Sequence, residues 1–180
     1  MRGEKWMEGA RFNIVAKTAP TEADDVLQVM LQNLLAQRFH LKVHKEPQPV
    51  TVYALTAVKP KLKDADPSTR ATCKSAAAAG MRTFTCQNTT MAQLAKKLRD
   101  VAGGYVGHPV VDLTGLTGSY DFTLSWTPFA QMARRSADDA SVAITLFEAV
   151  DRQLGLKLAT QKYPMPVVVV DHVDRSPTEN

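Results

Sequence analysis

The chain has no glycine-rich phosphate loop of the P-loop or dinucleotide type, no HExxH pair and no CxxC. Nucleotide-dependent chemistry and the common zinc arrangements therefore have no motif to rest on. Apolar runs are short: Val167 to Val170 cannot cross a bilayer, and no amphipathic basic helix is left over to lie on one. Nothing at the start reads as a signal peptide, and Met1-Arg2-Gly3-Glu4-Lys5-Trp6 reads as the entry into a domain already under way. Aromatics are sparse, at 7%, and interleave with no basic stripe. With the net charge of +4 spread along the chain and only Lys59, Lys61 and Lys63 near one another, nucleic acid is not an expected partner.

What is present is enough for a core. A length of 180 residues with 44% hydrophobic content fits one α+β domain, 1–180, or two subdomains, 11–58 with 81–126 and 138–174, around a surface loop at 59–80. Alternation of Phe12, Ile14 and Ala16 predicts a first strand at 11–16. Thr21 with Asp24 predicts a capping-box-like start to a helix running to Arg38, whose stripe of Val26, Leu27, Met30, Leu31, Leu34 and Leu35 is expected in the core. A strand around Leu41 and Val43 carries His40 and His44 outward. Along a strand these lie roughly 13 Å apart, too far for one metal ion. Pro47-Gln48-Pro49 marks a turn, and 50–58 a return strand whose edge is open to a second chain.

Farther on, Lys, Asp, Pro, Ser and Ala dominate 59–80, the expected loop, before a short strand at 82–86. Thr90 and Gln93 form a capping box ahead of Met91, Leu94, Ala95, Leu98 and Val101, and Gly103-Gly104 stops that helix. A strand, a glycine-punctuated turn and a second strand then span 110–124, a predicted hairpin. A third helix is expected over 141–154, with Ile144, Phe147, Val150 and Leu154 inward and Gly155 as its stop. Strands follow at 156–158 and 166–173 about a turn at Tyr163-Pro164. The unbroken valines predict a central strand covered on both faces. Residues 38–43 lie over 153–158, each after a helix, so three helix-strand-strand units around a mixed or antiparallel sheet are expected.

The densest set of reactive groups surrounds the predicted hairpin: His108, Asp112, Ser119, Tyr120 and Asp121 as catalytic candidates, and Asp112, Thr114 and Asp121 as oxygen ligands for Ca²⁺. Ser119 lacks a GxSxG elbow, and the EF-hand pattern is absent. The structural alternative has Asp112 taking backbone N–H groups in the turn while Tyr120 packs beside Trp126. Asp171 and His172 point to opposite faces of a strand and so are expected in separate surface hydrogen bonds. Cys73 and Cys86 flank an Ala/Gly/Ser segment, and the even count allows a disulfide or two reduced thiols.

Several runs carry a resemblance: Phe12-Asn13-Ile14-Val15-Ala16-Lys17, Met30-Leu31-Gln32-Asn33-Leu34-Leu35, Thr90-Met91-Ala92-Gln93-Leu94-Ala95, Val111 onward to Leu124, and Gln153-Leu154-Gly155-Leu156 with Asp171-His172-Val173. Together they resemble the soil-associated, Solibacter-type family of unknown function expanded in Acidobacteria. The resemblance implies an exported N-terminal region ahead of Phe12, and hence a C-terminal portion or short variant here, in a periplasmic or secreted setting. At fold level the units are similar to the partner-binding N-terminal modules of secretins and TonB-dependent receptors. The function expected is a binding module for a small molecule, glycan or protein partner. The alternative is a Ca²⁺-assisted hydrolase of esters or lactones such as acyl-homoserine lactones. Oligomeric state is left open.

Overall fold

A computed structural model describes residues 5–17, 23–78, 80–134 and 143–179. After a 3-10 turn at Lys5–Glu8 come α1 (Asp24–Phe39), β1 (Lys42–Ala57), β2 (Lys63–Asp64), β3 (Thr72–Ala78) and β4 (Met81–Thr90). Next are α2 (Met91–Val101), β5 (Val110–Asp112), β6 (Ser119–Trp126), α3 (Phe129–Met132), α4 (Leu146–Leu154) and β7 (Leu156–His172). The fold is α+β, with one sheet ordered β5-β1-β7 and another ordered β2-β6-β4-β3. Two compact units divide the chain: Met1–Pro49 with Pro164–Asn180, and Val50–Tyr163.

The Val50–Tyr163 unit holds the hydrophobic core. Its four-stranded sheet is antiparallel throughout, and α2 and α4 bury one face of each helix in that core. On α2 the buried residues are Met91, Leu94, Ala95 and Leu98, four of the five expected, while Val101 is only half-buried. Its capping box at Thr90 and Gln93 is formed in both directions. The last helix starts later than expected: Thr145 caps α4 through a second capping box with Glu148, and residues 141 and 142 lie outside the described residues. Val150 and Leu154 are buried as expected, but Leu146 and Ala149 join them, while Ile144 and Phe147 are only half-buried.

The segment 110–124 is not a hairpin. β5 pairs in parallel with β1, Tyr53 opposite Val110 and Leu55 opposite Asp112, whereas β6 pairs with β4 and β2 in the other sheet. A glycine-marked turn fixes where the chain bends but not whether the strands it joins pair, which depends on partners far away in sequence. Nor is 59–80 only a loop. Thr72–Ala78 forms β3 against β4, joined by a disulfide between Cys73 and Cys86, so the ladder and the crosslink override the low strand preference of its alanines. Between β6 and α4, where no helix is expected, α3 forms at Phe129–Met132.

Two further turns vanish. Residues 42–57 form one strand straight through Pro47 and Pro49, and 156–172 one strand through Pro164 and Pro166. At i, i+2 spacing both prolines of a strand lose their N–H on the same edge, so the other edge keeps a full set of donors. The boundary between the compact units falls at these same prolines. β1 lies between β5 and β7, so 50–57 is not a free edge; β7 is the outer strand, and Val167 to Val170 are half-buried rather than covered on both faces.

The Met1–Pro49 and Pro164–Asn180 unit is built differently. Residues 10–17 form no strand, and Val15 is 91% exposed. Helix α1 begins at Asp24 behind Ala23, with no side-chain cap; Thr21 lies outside the described residues. Its stripe is not core: Val26, Met30 and Leu31 are each more than 40% exposed, and among the described residues of this unit only Phe39 is a buried hydrophobic.

The overlay of 38–43 on 153–158 survives as geometry. Both helices end on a left-handed residue and enter a long strand, His40 at φ 45° in one and Gly155 at φ 64° in the other. Gly155 cannot carry a side chain, because a Cβ there would stand 1.7 Å from the Lys59 carbonyl oxygen. Gly155→Ala is expected to lower stability by well over the ~1–3 kcal/mol of backbone strain alone. Thr90→Ala, which removes a cap, should cost about 1 kcal/mol. Urea unfolding followed at Trp126 checks the order of the two.

Candidate functional site

The residues singled out around 108–121 divide between the two sheets. At the end of β5, Asp112 Oδ1 accepts from Thr114 N at 2.9 Å and from Thr114 Oγ1 at 2.7 Å, and Thr114 Oγ1 accepts from Leu116 N at 3.1 Å. These nested side-chain-to-backbone bonds shape the turn. On β6, Asp121 Oδ1 accepts from Asn88 N at 2.9 Å, where β4 bulges between Cys86 and Thr89 and Asn88 takes φ 44°. Ser119 opposes Thr90 in the ladder, the Tyr120 ring lies against Gly118, and the His108 ring sits 6.0 Å from that of Tyr53. Asp112 and Thr114 are thus brought together, while Ser119, Tyr120 and Asp121 follow the other sheet. The Tyr105 hydroxyl donates to Thr127 O at 2.8 Å, and burial raises its pKa.

In the Met1–Pro49 and Pro164–Asn180 unit the two histidines do not share a strand face, since His40 is the helix cap and His44 stands on β1. Each meets its own carboxylate: His40 Nδ1 lies 2.7 Å from Asp174, His44 Nδ1 lies 2.7 Å from Asp171, and His172 Nε2 lies 3.0 Å from Asp174. Asp171 and His172 therefore serve separate partners, as adjacent strand residues must. Among the described residues no group of three or more His, Cys, Asp or Glu is placed to hold a metal ion.

The opposite face of the same strand segments carries the feature that sequence reasoning missed. Val43 and Lys45 of β1, Val168 and Val170 of β7, and Leu35 and Phe39 of α1 line a cavity of about 450 Å³. Trp6, Phe12 and Ile14 contribute from the N-terminal segment, and the Phe12 and Phe39 rings meet edge to face at 4.9 Å. Among the described residues, twelve of the fourteen that line it are apolar, and the two polar ones are Gln32 and Lys45. An adjoining cavity of about 510 Å³ shares Phe12, Ile14, Leu35 and Phe39 and reaches Arg38, which donates to the Glu179 carbonyl at 2.6 Å. Among the described residues, eight of the ten exposed large hydrophobics belong to this unit: Phe12, Ile14, Val15, Val26, Val29, Met30, Leu31 and Val43. A signal existed in the sequence. α1 carries more apolar residues than one core-facing stripe uses, and Leu41, Val43 and Lys45 alternate onto one face.

The profile of a family of proteins of unknown function, DUF3738, matches residues 1–173. The chain belongs to the DUF3738 family. No curated protein and no solved structure matches this DUF3738 chain.

Histidine–carboxylate contacts at the start of β1 and the end of β7 give this unit of the DUF3738 chain an expected pH dependence. The hydrogen bond that His44 donates to Asp171, with added attraction from Glu46, raises the His44 pKa above its ordinary 6.5 against a smaller desolvation effect. Bonds from His40 and then His172 lower the Asp174 pKa below its ordinary 3.8. Stability from His44 is complete below 6.5 and is lost as pH rises through its folded value. Stability from Asp174 is complete above 3.8 and is lost as pH falls through its folded value. Hydrogen exchange of residues 40–46 should be slowest between those limits, and Asp171→Asn should flatten the alkaline limb while leaving the acid limb in place.

Proposed function

We propose that this DUF3738 protein is an extracytoplasmic binding module for a small amphiphile with an anionic end. The observation that carries the reading is the cavity of about 450 Å³, whose described lining is apolar except at Gln32 and Lys45. Its size falls within the range of small-molecule pockets, and one charged group beside an apolar wall is how such pockets orient a ligand. Lys45 makes no ion pair among the described residues, which leaves its ammonium group available to a carboxylate or similar head. The apolar body would cover the exposed side chains of Phe12, Ile14 and Val43. An extracytoplasmic setting draws support from the Cys73–Cys86 disulfide, which persists under oxidising conditions. No described helix is long and apolar enough to cross a membrane.

The lactone or ester hydrolase reading draws less support. Ca²⁺ at Asp112, Thr114 and Asp121 requires carboxylates from two different sheets, and each already accepts a hydrogen bond from a backbone N–H.

Trp6 lines the cavity, whereas Trp126 is 1% exposed in the other unit and supplies a constant background. Titration with dodecanoate should change the Trp6 emission saturably. Dodecanol should bind roughly two- to fivefold more weakly, the scale of a partly exposed ion pair, and Lys45→Met should remove that difference. Val43→Asp, at a position already 49% exposed, should weaken binding at least about tenfold by setting a carboxylate against the tail. An unchanged Trp6 signal with every amphiphile would remove the proposal.

A further inference from the structure

A second surface, in the Val50–Tyr163 unit, is defined by backbone rather than side chains. β3 is the outer strand of the four-stranded sheet, and the direction of its free hydrogen-bonding groups follows from two independent observations. Cys73 and Cys86 oppose each other with Cα atoms 4.1 Å apart, the close spacing of a non-hydrogen-bonded antiparallel pair. The N–H and C=O of Cys73, and by period two those of Ser75 and Ala77, therefore point away from β4. The same parity carried across the register sets Ser125 of β6 pointing away from β4 on the far side. There Gln153 bonds it in both directions, Nε2 to Ser125 O and Ser125 N to Oε1, each at 2.8 Å.

Gln153 thus closes one edge of this sheet, helped by the two-residue strand β2. The outer strands of the other sheet are blunted too: β5 has three residues, and β7 carries Pro164 and Pro166. β3 has none of these devices. It is seven residues long, contains no proline, and is exposed at every position but Cys73, with alanine at its last three. Among the described residues, nothing bonds to the backbone groups of Cys73, Ser75 or Ala77 on that edge.

We infer that β3 is the pairing edge for a second copy of this chain, joined antiparallel about a two-fold axis at Ser75. Ser75 is the middle residue of the strand, so this register sets Ser75 opposite Ser75 and Cys73 opposite the second copy's Ala77. Every outward-pointing residue then meets another outward-pointing residue, as an isologous interface requires. The strand's one charge, Lys74, falls opposite the second copy's Ala76, so no like charges meet. The two four-stranded sheets become one continuous sheet of eight strands.

Sedimentation velocity on the full chain, with hydrogen exchange read over β3, tests this. A concentration-dependent dimer is expected, with the amides of Ser75 and Ala77 slowing as it forms while those of Lys74 and Ala76 are slow throughout. Ser75→Pro removes an outward N–H that the β3–β4 ladder does not use and should leave a folded monomer. Ser75→Glu and Ser75→Lys place like charges across the axis, so each alone should be monomeric, and an equimolar mixture should form a mixed dimer. A wild-type chain that is monomeric at every concentration overturns the inference, including one that instead captures an extended peptide along β3. So does a dimer that persists unchanged in both charge variants.

Discussion

Three chain segments converge on the left-handed turn at Gly155, and the Val50–Tyr163 unit depends on it. The Gly155 carbonyl accepts from Val58 N at 3.1 Å and Lys59 N at 3.0 Å, and the Leu154 carbonyl accepts from Lys61 N at 2.8 Å. Lys61 Nζ adds a bond to the Arg152 carbonyl. The carbonyls that a helix leaves unsatisfied at its C-terminus are thus taken up by the chain leaving β1. One residue fixes the end of α4, the start of β7 and the exit from β1, and only a residue without Cβ fits beneath the Lys59 carbonyl. The corresponding turn at the end of α1 is made by His40, whose ring bonds Asp174. The same local device therefore serves packing in one unit and a surface ion pair in the other.

The two units differ in how they dispose of apolar surface. In Val50–Tyr163 the buried set is large and continuous, from Leu55 through Phe84, Leu124 and Trp126 to Leu156. Among the described residues of the other unit only Phe39 is a buried hydrophobic, and side chains that would normally be core line a cavity or face outward. A helix apolar on more than one face wants cover on more than one face. That imbalance is the physical basis for the proposal that the second unit binds a ligand while the first supplies the packed scaffold.

Legibility in the sequence followed the range of the interaction. Thr90 with Gln93, and Gly155 after Leu154, announce helix ends because caps act over three or four residues. The α2 stripe and both helix stops were readable for that reason, as was the α+β class. Strand pairing was not: β5 and β6 are neighbours in sequence yet join different sheets, and the parallel partner of Val110 is Tyr53. Paired prolines read as turns because proline usually ends a strand, but i, i+2 spacing leaves one edge intact. The carboxylates Asp112 and Asp121 stood out as chemistry, and their hydrogen bonds to Thr114 and Asn88 became visible only with the bulge and turn in place. The cavity escaped notice because it is built from residues that pattern alone assigns to a core.

The most direct measurement is residue-resolved hydrogen exchange of the whole chain, with and without saturating dodecanoate. The predicted result is protection gained at 6–14, 32–45 and 168–173, with the amides of α2, β4, β6 and α4 already slow and unchanged. Protection gained chiefly within Val50–Tyr163, or none anywhere, would contradict the proposal that binding belongs to the unit with the apolar cavity.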